Sequence, residues 1–133
     1  MLAEAVTYAL LTGAGSVTAI VGARIYPVVV PRGQGMPAIT VEVVSDTPLP
    51  ALDAQAATHL ARARVQVNLV GPSLTVLNTL RAAVKAAMAF KRGAIGGTTV
   101  HSVLWAGDGP GSFDQPTDLF HRPVDFLITY EQP

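Results

Sequence analysis

Cysteine is absent from the 133-residue chain. That absence excludes disulfides and thiolate metal sites, and it leaves the redox compartment unreadable. Charge is sparse at 14% and aromatic residues make up 6%. Long apolar runs are missing as well. The opening stretch, MLAEAVTYALLTGAG, has the look of a leader, but it lacks a basic start and carries Glu4 inside its apolar segment. No run of about 18 apolar residues follows it to span a bilayer. The expectation is a soluble, unexported protein with no membrane partner.

What is present points to one ordered domain over residues 1–133. Half of the residues are hydrophobic, enough to build one core at this length. The 10 prolines and 12 glycines gather between apolar runs, which suits a fold with many turns.

The formal net charge is zero, but the signs are segregated. Residues 54–107 hold Arg62, Arg64, Arg81, Lys85, Lys91 and Arg92 with no acid. Residues 108–133 hold Asp108, Asp114, Asp118, Asp125 and Glu131 against Arg122 alone. Separated charge of this kind creates local fields that can orient association with a partner or a second copy.

The apolar period reads as helix, helix, three strands, a long helix, then two strands. Leu2, Val6, Ala9 and Leu10 have helical spacing, and Ser16 is a fitting cap for a short second helix closed by Gly22. The period then changes to two. RIYPVVV over residues 24–30 is a strand that Pro27 pushes toward a sheet edge, and AITVEVVS follows over 38–45. A long irregular connection is expected over 46–59. In LARARVQVNLVG, Ala61, Ala63, Val65, Val67 and Leu69 alternate with Arg62, Arg64, Gln66 and Asn68. Ser73 caps the longest helix, expected to run to about Arg92 with Leu77, Leu80, Val84, Ala87 and Met88 on one face, and Gly93, Gly96 and Gly97 are expected to stop it. A strand over 98–105, a loop over 106–118 and a strand over 119–130 complete the chain. The expected fold is α+β, a mainly antiparallel sheet of about five strands packed on one long helix, with one or two short N-terminal helices.

Site chemistry is thin. His59, His101 and His121 are scattered without metal-ligand spacing, so no metal is expected. Ser16 and Ser112 follow glycines without completing a nucleophile elbow. Gly13 and Gly15 lack the third glycine and the preceding strand of a dinucleotide fingerprint. No cofactor and no enzyme activity are expected. Asp108, Asp114 and Asp118 share one Gly/Pro-rich loop and read as solvated acids. Arg62 and Arg64 on a strand face, with Arg81 and Lys85 at i and i+4 on a helix, could form a nucleic-acid footprint, a solvated surface or a protein interface. Overall neutrality and the lack of neighbouring aromatics disfavour the first.

The order of segments adds a further reading. RIYP, then PAITVEVVSDTP, LARARVQVNLVG, a helix after GPS, and a Gly/Asp/Pro loop leading to LFHRPVDFLITYEQ resemble the tail completion family of long-tailed phages, the tail terminator or head-to-tail joining proteins. The similarity runs from about Leu2 to Gln132. It implies a virion protein without catalytic residues, forming a ring, usually hexameric, on the head-proximal end of the tail tube. Its implied partners are other copies of itself, the major tail tube protein and the head or neck connector. The genome passes through such a ring without specific recognition, and assembly takes place in the host cytoplasm. Within this reading Arg62, Arg64, Arg81, Lys85, Asp108, Asp114 and Asp118 are the candidate interface residues. The alternatives are a neck or head-tail adaptor of the same particle, or a small α+β module binding a ligand or nucleic acid, with hydrolase chemistry in the 108–118 loop.

Overall fold

The computed structural model describes residues 2–49 and 59–133. Two helices open the chain, α1 (Leu2–Thr12) and α2 (Gly15–Val21), meeting at 86°. Strands β1 (Ile25–Pro27), β2 (Ala38–Pro48) and β3 (His59–Gly71) follow, then α3 (Leu74–Met88). Strands β4 (Gly93–Ile95), β5 (Thr98–Asp108), β6 (Ser112–Asp114) and β7 (Leu119–Gln132) end it. No single helix among the described residues is long and apolar enough to cross a membrane.

The strands form one sheet in the order β1-β2-β3-β7-β5-β4, with β6 also on β7. The expectation of about five antiparallel strands is corrected to seven in a mixed sheet, because β1 pairs with β2 in parallel. The covering layer is three helices rather than one. Core residues come from all three, among them Val6 and Leu11, Val17 and Val21, and Leu77, Leu80, Val84 and Met88.

Alternation explains the sheet's two faces. Ala61, Ala63, Val65, Val67 and Leu69 on β3, with Val124, Phe126, Ile128 and Tyr130 on β7, lie fully buried beneath the helices. Their strand neighbours point to the open face. A bulge between Val43 and Ser45 leaves Val44 53% exposed and returns Asp46 to the covered face, in register with Ala63. There the Tyr130 hydroxyl donates to Asp46 Oδ2 at 2.5 Å. Burial first, and then this bond and the Asp46 charge, push the Tyr130 phenol above its ordinary range. Burial, with a smaller contribution from Glu4, likewise raises Tyr8.

Several expected boundaries move for local reasons. The strand expected over 24–30 is confined to Ile25–Pro27, at the sheet edge that Pro27 favours. The residue capping α2 is Ala14, without a side-chain bond, and Ser16 lies inside the helix. Ser73 does cap α3, its Oγ accepting from the Val76 amide at 3.3 Å. That helix ends at Met88 instead of Arg92, because Ala89 turns extended and the Phe90 amide donates to the Val103 carbonyl of β5 at 2.7 Å. Gly93 and the Gly96–Gly97 turn therefore belong to the β4–β5 hairpin. Residues 46–48 of the expected connection extend β2 and His59 opens β3, while 50–58 lie outside the described residues. The expected loop over 106–118 includes the end of β5 and the short β6. Gly109, between them, donates to the Pro123 carbonyl at 2.9 Å. A Cβ there would lie 2.6 Å from the Pro123 ring, so only glycine fits this approach.

Candidate assembly surface

The two halves of the charge pattern meet inside one chain. β3 and β7 pair along their whole length, which sets Arg64 opposite Leu127 and beside Asp125 on the open face. Arg64 donates to Asp125 Oδ2 from Nε at 3.0 Å and Nη2 at 2.7 Å. The arginine side chain is 40% exposed and the carboxylate 16%, so the pair is only partly shielded from water. Arg62 lies two residues along the same face and reaches Thr129 Oγ1 at 3.4 Å.

A second cluster sits at the rim of the covered face. Arg81 on α3 pairs with Asp108 at the end of β5. The Trp105 indole donates to Oδ1 of Asp108 at 3.2 Å, and Arg122 Nη1 lies 3.6 Å from Oδ2, the oxygen that Arg81 binds. One turn along α3, Lys85 Nζ stands 3.7 Å from the centroid of the Trp105 ring, a cation over an aromatic face. Helical spacing therefore brings Arg81 and Lys85 to one indole, not to a free basic stripe.

Asp114 accepts from Thr117 Oγ1 at 2.6 Å inside the β6–β7 turn, and Asp118 is exposed there at φ 54°. Asp108, Asp114 and Asp118 thus have separate settings, and no hydrogen bond links them among the described residues. His101 meets Glu131 at 3.2 Å and His121 meets Asn68 at 3.3 Å. Among the described residues no three His, Asp or Glu side chains form a group able to hold a metal.

The open face also carries a cleft of about 460 Å³. Its floor is Thr40, Asn68, Val70 and His121. One wall is the β1–β2 loop from Val28 to Met36, and the other is the β6–β7 turn with Asp114, Thr117 and Leu119. The most exposed large apolar side chains among the described residues are Phe90 at 81%, Val29 at 68% and Val28 at 60%.

Sequence reasoning named neither Asp125 nor Arg122, Trp105 and Phe90 as site residues. Asp125 depends on a β3–β7 register that joins residues 61 apart at Arg64 and Asp125, and Arg122 on the β5–β7 register that sets Asp108 opposite Val124. Phe90 had a legible signal, a large aromatic next to Lys91 and Arg92 and off the apolar stripe of α3.

The fold and the family agree with known proteins. No curated protein matches the chain. A solved structure described as the virion of a native gene transfer agent (GTA) particle contains a chain of similar fold, with a TM-score of 0.69 at 15% identity, covering 95% of this chain and 92% of that one. The sequence model of the family described as tail completion protein gp17 matches residues 5–131. The match leaves only the terminal residues outside it, and the chain belongs to the tail completion protein gp17 family.

Proposed function

We propose that the chain is a structural virion protein that forms a ring, hexameric in the reading favoured here, at the head-proximal end of a phage tail tube. The ring ends tube polymerisation and presents a surface to the head or neck connector. Membership of the tail completion family over residues 5–131 is the observation that carries this reading. The gene transfer agent likeness supports it as a fold that occurs within a phage-like particle.

The geometry is compatible with a ring. Cyclic assemblies use heterologous contacts, in which one patch of each subunit meets a different patch on its neighbour. The two lateral edges of this sheet are unlike: β1 is three residues long and parallel to β2, whereas β4 and the free part of β5 end the other side. Arg64 and Arg81 have partners in their own chain, so they contribute to assembly by holding the surface in shape. Asp108 is held by Arg81 in the same way. Arg62, Lys85, Asp114 and Asp118 make no ion pair among the described residues, the first three touching only Thr129, the Trp105 ring and Thr117, and they are the members of the expected interface set with charge left for contacts beyond the chain.

Electron microscopy of tail tubes polymerised with and without the protein tests the proposal. Added protein is expected to give tubes with ring density at one end and no further growth from it. Tubes that elongate unchanged, with bare ends, would sink the reading.

A further inference from the structure

Three non-glycine residues among those described have positive φ: Val28 at 61°, Phe90 at 63° and Asp118 at 54°. This backbone region is unfavourable for β-branched and bulky side chains, and such strain persists only where surrounding structure imposes it. Phe90 gives little back within the monomer, because it is 81% exposed. Its amide is bound to the Val103 carbonyl, which holds the ring out at the β5–β4 edge of the sheet. Val28 lines the loop wall of the open-face cleft, and Asp118 lies in the β6–β7 turn between two residues that line the other wall, Thr117 and Leu119. The strained positions thus mark one projection and one recess, set toward opposite edges of the same sheet.

We infer that Phe90 of one copy inserts into the open-face cleft of the next, making the head-to-tail contact of the ring. The inference rests on the ring reading and names its contact. Chemistry matches on both sides. Val28, Val29, Val30, Met36, Val70 and Leu119 give the cleft an apolar interior for an aromatic ring. Beside Phe90, Lys91 and Arg92 are exposed, and Asp114 lines the turn wall, with the exposed Asp118 in the same turn, to receive them. Arg32 belongs to the loop wall and leaves the turn side acidic. A projection and a recess on different edges cannot satisfy each other within one copy, so each subunit offers both and the contact repeats around a ring.

The absence of native cysteine makes the test direct. A Phe90→Cys, Thr117→Cys double variant, assembled on tail tubes and treated with a short bis-maleimide, is expected to give a ladder of cross-linked multimers, while each single variant gives at most dimers. In parallel, Phe90→Asp is expected to keep the melting temperature, since aspartate tolerates positive φ better than phenylalanine, and to lose at least tenfold in ring occupancy at tube ends. Charge reversal at Lys91 and Arg92 to Glu should weaken assembly, and adding Asp114→Lys with Asp118→Lys should restore it. Rings formed by Phe90→Asp as readily as by the unaltered chain, or a double-cysteine variant that cross-links no further than the singles, would overturn the inference while leaving the ring intact. Failure of the unaltered chain to form rings would instead remove the reading beneath it.

Discussion

The two faces of β3 spend their side chains differently. Toward the helices, Ala61, Ala63, Val65, Val67 and Leu69 are fully buried, and each depends on packing from α3 and the neighbouring strands. Toward the open side, Arg62 and Arg64 are two residues apart, yet one has a two-donor bond to Asp125 and the other a single long contact to Thr129. Burial is uniform along one face, whereas on the other the role of each residue is set by what β7 happens to place beside it. A charge on an exposed strand is thus neither an interface nor mere solvation until its cross-strand neighbour is known.

Four substitutions probe the difference between the two faces. The largest effect is expected on the covered face: Phe126→Ala should cost about 3–5 kcal/mol of unfolding free energy through lost burial and an unfilled cavity, read by chemical denaturation. A loss under about 1 kcal/mol would show that this face is not the core.

Next is the polar bond on that same face. Tyr130→Phe leaves the Asp46 carboxylate without its donor and should cost about 1–3 kcal/mol at neutral pH. Because the folded phenol titrates above its ordinary value of 10.0, its stabilisation is complete below that pH and is lost as pH rises past it toward the folded value. Melting temperatures of the unaltered chain should therefore fall more steeply above that pH than those of Tyr130→Phe. Parallel curves would contradict the assignment.

On the open face the effects shrink. Asp125→Ala should cost about 1 kcal/mol, reduced by water around the half-exposed Arg64, and a double-mutant cycle with Arg64→Ala should give a coupling of about 0.5–1 kcal/mol. A coupling near zero would make Arg64 a solvated residue after all. Smallest of all, Arg62→Ala should change stability by less than about 0.5 kcal/mol, and a larger loss by thermal melting would erase the contrast between the two arginines.

How much of this was legible follows the range of the interaction. The covered faces of β3, β7 and α3 were readable because periods of two and 3.6 are local properties of the chain. The Ser73 cap was readable for the same reason. The parallel β1–β2 pairing and the end of α3 at Met88 were not, since each depends on a partner strand more than ten residues away, and β6 was not because a strand of three residues is too short to show a period. The same limit applies to the site. Composition showed that positive and negative residues were segregated, but only the β3–β7 register turns that segregation into Arg64 with Asp125, and only the packing of α3 beside β5 into Arg81 with Asp108. The strained backbone of Phe90 and Val28 has no sequence signature, because neither residue type favours positive φ.

Hydrogen exchange on the free chain and on the chain bound to tail tubes tests most directly whether the β3–β7 face is settled within the subunit while its edges build the ring. New protection is expected at residues 28–36, 90–92 and 114–119 on assembly, with the amides of 61–69 already protected in the free chain and unchanged. Protection that instead appears along α1 and α2, with the cleft walls and Phe90 exchanging as before, would contradict it.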